Sequence, residues 1–220
     1  MAHLRSALLI IFISLLAGCS QRTQDLNATI HEALFGFNDV DMTAEQVAEL
    51  PYASIYARIN NGHQIFMVLA FADTNPLTGN TQLKWVSADS AMITTENGRI
   101  VKTAMFPKAN LVNMSSNNRL AAPNQYANSW SSREYDWQPG YLYSNKARIE
   151  STPKGTEKIT SLLWQKQTTQ VHEVITFDQI GQKMQNDYWV DTQGNVVKSA
   201  QWLIPDELFI EIEVLKPYAE

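Results

Sequence analysis

From Tyr52 onward the alternation of apolar and polar positions is that of strands. Ile55, Ala57 and Ile59 share one face while Tyr56 and Arg58 take the other, and Asn61-Gly62 then turns the chain. Residues 65–72 return as a nearly unbroken apolar run, the pattern of a strand buried on both faces. The turn cluster at 75–80 precedes strand-like stretches at 82–86 and 91–95. Asn97-Gly98 then supplies the positive φ of a tight hairpin, and 99–104 returns. Residues 110–125, rich in Asn, Ser and Ala with little period, predict a long loop. Beyond the aromatic-rich 126–143, with its Pro139-Gly140 turn, the chain reads as a meander. A turn is predicted at 152–155 and a strand at 159–165, and Val171, Ile175 and Phe177 share a face of the next strand. Residues 188–191 and 196–203 pair across 192–195, and Ile210, Ile212 and Val214 alternate with Glu211 and Glu213.

Helical periodicity is confined to the start. Leu26, Ile30, Ala33 and Leu34 lie on one helical face that Gly36 can close in a left-handed cap. Thr43-Ala44-Glu45-Gln46 has the form of a capping box, and Pro51 ends the short helix it begins. About ten strands against two helices predict a mainly β fold. The expected arrangement is an antiparallel meander, as a sandwich or an open half-barrel, with an N-terminal helix and one short helix.

The first residues change the picture from fold to location. Arg5, an apolar core over 7–16 and the small Ala17 and Gly18 are the ordered parts of a secretory signal. Leu16-Ala17-Gly18-Cys19 ends it as a lipoprotein signal, with cleavage between Gly18 and Cys19 and a diacylglycerol thioether on Cys19, the chain's one cysteine. The apolar run is too short for the roughly 20 residues of a spanning helix. Membrane lipid, held through Cys19, is thus an expected partner. Ser20, in place of the aspartate that retains lipoproteins in the inner membrane, points to the outer membrane and its periplasmic face. The expected organisation is a removed signal at 1–18, a lipidated tether at 19–25 reaching about 20 Å, and one periplasmic β-rich domain at 26–220.

Losing Arg5 with the signal lowers Lys+Arg from 17 to 16 against 22 Asp+Glu, a net charge of −6. That balance argues against a nucleic-acid partner and against an electrostatic grip on anionic lipid. With Cys19 lipidated, no disulfide can form, so the core alone must hold the fold.

Candidate chemistry is sparse. His3, His31, His63 and His172 fall in different elements without ligand spacing, so neither a metal site nor a cofactor is expected. No Gly-x-Ser-x-Gly elbow or phosphate loop occurs. Glu134 and Asp136 stand at i and i+2 of one strand, about 7 Å apart, and read as surface charges rather than a catalytic pair; Arg58, Arg99 and Lys102 read as solvated. No catalytic residue is assigned, and the chain is not expected to be an enzyme. Tyr126, Trp130, Tyr135 and Trp137, with Arg133, stand among amides and hydroxyls, a mixture that suits stacking on sugar rings. Trp130 and Trp137 would then line an exposed glycan-binding groove. The alternative is that these rings cap one end of the β core.

Residues 98–104 (Gly-Arg-Ile-Val-Lys-Thr-Ala) recur at 194–200 (Gly-Asn-Val-Val-Lys-Ser-Ala), with Trp-Val upstream of each at 85–86 and 189–190. Either two similar hairpins or a duplication, with units near 52–125 and 126–220, would produce this. Leu50-Pro51-Tyr52-Ala53-Ser54, Leu83-Lys84-Trp85 with Asp89 after it, and 98–103 carry a resemblance over most of the chain. The chain resembles the YjbF (GfcB-like) lipoproteins of exopolysaccharide and group 4 capsule operons. The resemblance implies a part in making or exporting an extracellular polysaccharide, beside an outer-membrane pore and other envelope proteins. Two classes of role stay open: a glycan-binding or assembly factor, and a structural lipoprotein that docks on protein partners without touching sugar. A polysaccharide-modifying enzyme is a distant third.

Overall fold

The computed structural model describes residues 39–116, 120–126, 130–140 and 142–219, with only the backbone of Gln125, Tyr126 and Trp130. The expected lipoprotein signal, Gly18, Cys19 and the helix predicted at 26–36 lie outside the described residues. Helix α1 (Ala44–Glu49) starts where the capping box places it. The Gln46 amide donates to the Thr43 hydroxyl at 3.2 Å, and the Thr43 amide donates to Oε1 of Gln46 at 2.8 Å.

Apart from a short 3-10 turn at Pro123–Tyr126, the rest of the regular structure among the described residues is strand. β1 (Ser54–Ile59), β2 (Gln64–Thr74), β3 (Thr81–Ser87), β4 (Met92–Glu96) and β5 (Arg99–Ala104) form one antiparallel meander. A second comprises β6 (Asn110–Ser116), β7 (Trp130–Gln138), β8 (Leu142–Thr160), β9 (Gln165–Phe177), β10 (Gln182–Asp191), β11 (Val196–Ile204) and β12 (Leu208–Lys216). β1 pairs with β12, joining the two into one twelve-stranded sheet of order β5-β4-β3-β2-β1-β12-β11-β10-β9-β8-β7-β6. The free edges, β5 and β6, are consecutive in sequence, and the sheet curls into a nearly closed barrel with its seam between them. Side chains bridge the seam: the Leu111 amide donates to the Thr103 hydroxyl at 2.9 Å, and that hydroxyl donates to Oδ1 of Asn110 at 3.3 Å. One core of inward residues from both meanders fills the barrel, among them Ile55, Met67, Trp85, Ile93, Leu111, Ile149, Ile175 and Ile210. α1 lies on the outside, with Val47 packed against Tyr56 and Leu215.

Several expectations need correction. Residues 110–116 are the strand β6 rather than loop; Leu111 and Met114 both face the core, and the bulge between Leu111 and Asn113 breaks the alternation that would have revealed it. No turn forms at 152–155: β8 runs through Pro153 and Gly155 with a bulge there, and the hairpin closes at residues 161–164, where a strand was predicted. β2 is not buried on both faces; its last five residues are exposed, Phe71 at 63 %. The Trp-Val of the first echo sits on β3, one strand before the hairpin that Gly98 turns, whereas the second sits on β10 within the hairpin that Gly194 turns. The two echoed hairpins thus differ in connectivity.

Candidate functional site

Arg133, Tyr135 and Trp137 alternate along β7 and so share one face, and that face points into the barrel. All three are buried, so Trp137 does not line the exposed groove expected of it, and Arg133 and Tyr135 do not stand at a surface where a sugar could meet them. Trp137 donates from Nε1 to the Leu203 carbonyl at 2.8 Å, and its ring meets Phe177 edge-on at 5.2 Å. Tyr135 meets the same Phe177 at 5.3 Å. An indole whose one donor is satisfied by the opposite wall of the barrel belongs to the core. The side chains of Trp130 and Tyr126 lie outside the described residues.

Arg133 is part of an ionic cluster the sequence reading missed. Its Nη1 and Nη2 donate to the two oxygens of Glu173 on β9, each at 2.9 Å, and Nη2 of Arg99 on β5 donates to Oε1 of Glu173 at 2.5 Å. Ser151 adds a hydroxyl donor to the same oxygen at 3.2 Å. The Arg99 guanidinium lies 5.4 Å from the centre of the Tyr188 ring, and its Nη1 donates to the Ala121 carbonyl. Tyr188 donates in turn to Gln201, whose amide donates to the Gly98 carbonyl at 3.0 Å. Burial opposes the charge on Glu173, but Arg133 and Arg99 outweigh it and hold the carboxyl well below its ordinary value. Burial also pushes the Tyr188 phenol well up. Two guanidiniums against one carboxylate leave the cluster itself with an excess positive charge, and the Nε atoms of both arginines have no hydrogen-bond partner.

The cluster ties β5 to β7 and β9 across the barrel, so it fixes how the two meanders face each other. Arg99, expected to be solvated, is wholly buried. A signal for Glu173 existed: it falls in phase with Val171, Ile175 and Phe177 on the apolar face of β9. Glu134 and Asp136, in the opposite phase of β7 from Arg133, are partly exposed, and Asp136 accepts from the Ser144 amide.

A second buried carboxylate lies at the same end of the barrel as the β4–β5 turn. Glu96 accepts from Asn75, Thr78, Asn80 and Gln82 at 2.8–2.9 Å. Burial would raise its pKa, but those four donors outweigh it and hold it below its ordinary value. Asn80 and Asn97 both donate to the Leu120 carbonyl, so the connection from β6 to β7 is pinned across this end. A pocket of about 80 Å³ between Ile55, Trp85, Ile212 and Val214 is roughly half the volume that holds a benzene, too small for a sugar ring. Among the described residues no group of three or more His, Cys, Asp or Glu is placed to hold a metal ion, and no helix is long and apolar enough to cross a membrane.

Residues 27–215, nearly the whole of the sheet and the helix before it, match the family described as "Group 4 capsule polysaccharide lipoprotein gfcB, YjbF". The chain belongs to this YjbF family. It is 33 % identical over 221 residues to the uncharacterized lipoprotein YjbF of Escherichia coli K12, covering 96 % of this chain and 97 % of that one. It is 29 % identical over 229 residues to the lipoprotein GfcB of the same strain, covering 97 % and 99 %. The crystal structure of the hypothetical lipoprotein YmcC from Escherichia coli K12 superposes with a TM-score of 0.70 at 27 % identity, over 87 % of this chain and 96 % of that one. The fold of this chain is therefore shared with an experimentally determined lipoprotein structure.

Proposed function

We propose that the chain is an outer-membrane lipoprotein, anchored through Cys19 and facing the periplasm, that assists synthesis or export of an extracellular or capsular polysaccharide as a glycan-binding or assembly factor. The observation that carries the reading is the match of residues 27–215 to a family of capsule-polysaccharide lipoproteins, joined to the lipidation motif at 16–19. Among the described residues the barrel interior is filled by side chains, the Arg99–Glu173–Arg133 cluster, Trp137 and the aliphatic core, a rigid frame that suits a binding or scaffolding role.

One feature favours the reading in which the chain docks on protein partners of an envelope complex without binding sugar. Met105, Leu142, Tyr143 and Ile180 are all exposed and lie on or beside the β5–β6, β7–β8 and β9–β10 turns, which the up-and-down order places at one end of the barrel. Exposed apolar side chains gathered at one end suit a protein interface.

Deleting the gene tests the reading. Surface polysaccharide should fall in the deletion strain and return when the intact gene is supplied in trans. Unchanged polysaccharide in the deletion strain, under conditions where the parent makes it, would refute it.

A further inference from the structure

The outward side of β9–β12 carries a constellation that α1 does not cover; Trp202 also packs against the margin of the core, and the β8–β9 hairpin reaches β12 through Ser161 to Glu213 and Trp164 to the Val214 carbonyl. On β10 and β11 the outward residues include Asp187 and Trp189, and Lys198, Ala200 and Trp202. The registers set them in rows. Gln170, Trp189, Lys198 and Glu213 form one row, and His172, Asp187, Ala200 and Glu211 the next. Trp202 opposite Phe209 closes the far side, with ring centres 5.1 Å apart. Ala200 is the only small residue of its row, so it leaves a depression with an indole on either side along the strand direction. Four residues of β11 separate the level of Trp189 and Lys198 from that of Trp202, about 13 Å at about 3.3 Å per residue. Trp189, Trp202 and Phe209 are all half-buried residues.

The polar groups around the depression are held in place. His172 Nδ1 lies 2.9 Å from Oδ1 of Asp187, and Gln170 Nε2 donates to the same oxygen at 3.0 Å. Lys198 lies over the Trp189 ring at 5.1 Å, and Trp189 Nε1 donates to Glu157 from the long β8–β9 hairpin. These contacts fix the Trp189 ring and leave Lys198 without a carboxylate partner among the described residues.

We propose that this outer face is a glycan platform, with Trp189 and Trp202 stacking on sugar rings at either side of Ala200 while Asp187, Glu211, Gln170 and Lys198 meet their hydroxyls. The proposal rests on the polysaccharide reading above and supplies that reading with a site. The negative face of an indole attracts the polarised C–H bonds on the flat side of a pyranose, and planar carboxylates and amides can each take two hydroxyls of one ring. A protein occupant is disfavoured, because the core of a protein interface is depleted in charged residues, whereas here Asp187, Lys198 and Glu211 surround the centre. The distance between the indoles suits several consecutive sugars of a chain rather than a single one.

The test uses the mature lipoprotein in lipid nanodiscs, titrated with oligosaccharides released by mild acid from the strain's own surface polysaccharide, with dextran as the unrelated sugar. Binding should be saturable, and Trp189→Ala and Trp202→Ala should each weaken it about tenfold, the loss expected of one stacked ring. Ala200→Arg fills the depression and keeps both rings; it should abolish binding at an unchanged melting temperature, whereas Leu77→Ala on the distant β2–β3 hairpin should leave binding intact. No saturable binding by the parent chain, or binding that survives all three platform variants, overturns the proposal. The same variants in the deletion strain separate the two levels. Full return of surface polysaccharide with Ala200→Arg would sink the platform while leaving the pathway standing, and a deletion strain with normal polysaccharide would sink the pathway itself.

Discussion

Glu173 shows what one residue contributes to this fold. Removing the charge that two buried guanidiniums share leaves both uncompensated, so Glu173→Gln should cost about 3–5 kcal/mol at neutral pH, read from denaturant unfolding. Because the folded-state pKa of Glu173 is depressed, the stability it contributes is complete above its ordinary value of 4.5 and is lost as pH falls below it. The parent chain should therefore lose stability more steeply than Glu173→Gln between about pH 5 and pH 3; parallel curves would remove the cluster from the acid response. Gly98 offers a second case. Asn97 and Gly98 take φ of 48° and 77°, the two positive values of a type I′ turn, and a Cβ on Gly98 would lie 2.2 Å from Cβ of Val196. Gly98→Ala should cost at least about 1–3 kcal/mol, and less in a Val196→Gly background, where the opposing atom is gone. Additive costs in that double-mutant cycle would contradict the contact.

Among elements, α1 depends on local chemistry that can be read directly. Thr43→Ala removes one half of the reciprocal cap and should lower stability by about 0.5–2 kcal/mol, with faster amide exchange at Gln46 and Val47 as the local signature; unchanged exchange at both would rule the cap out as the helix's start signal. The same locality explains which elements the sequence disclosed. The capping box, the Asn97-Gly98 turn and the alternation of β1 and β12 are rules that act over a few residues, and each stands where the pattern places it. β6 and β8 escaped because a bulge shifts the phase of alternation, between Leu111 and Asn113 in one and between Pro153 and Gly155 in the other. Residues 65–72 misled for the converse reason, since apolar side chains such as Phe71 remain on an exposed stretch of β2. Arg133, Tyr135 and Trp137 stood among polar neighbours that looked like surface; half of those neighbours do face outward, as alternation on a barrel wall requires. What no local pattern could show is that Arg99, Arg133 and Glu173, from three strands up to 74 residues apart in sequence, meet at one point.

For the whole molecule, pairing of β1 with β12 closes the chain on itself and leaves β5 and β6 as the edges. A long unpaired edge invites pairing with other chains, and here the Thr103–Asn110 bridge covers it. Asn110→Ala should therefore raise amide exchange at Leu111 and Phe106, whose amides donate to Thr103 and Asn110, before it affects the rest of the barrel; exchange that rises uniformly would mean the seam is not a separate weak point. The proposed location rests on the residues around Cys19. Ser20→Asp should move the protein toward inner-membrane fractions, and an unchanged density profile would refute the sorting role of Ser20. The most direct measurement of the proposed function combines anchor and pathway. A deletion strain supplied with Cys19→Ser alone should retain an uncut precursor that takes up no labelled palmitate, and its surface polysaccharide should stay at the level of the deletion. Full polysaccharide from a Cys19→Ser chain that carries no lipid would contradict the claim that this protein acts from the membrane.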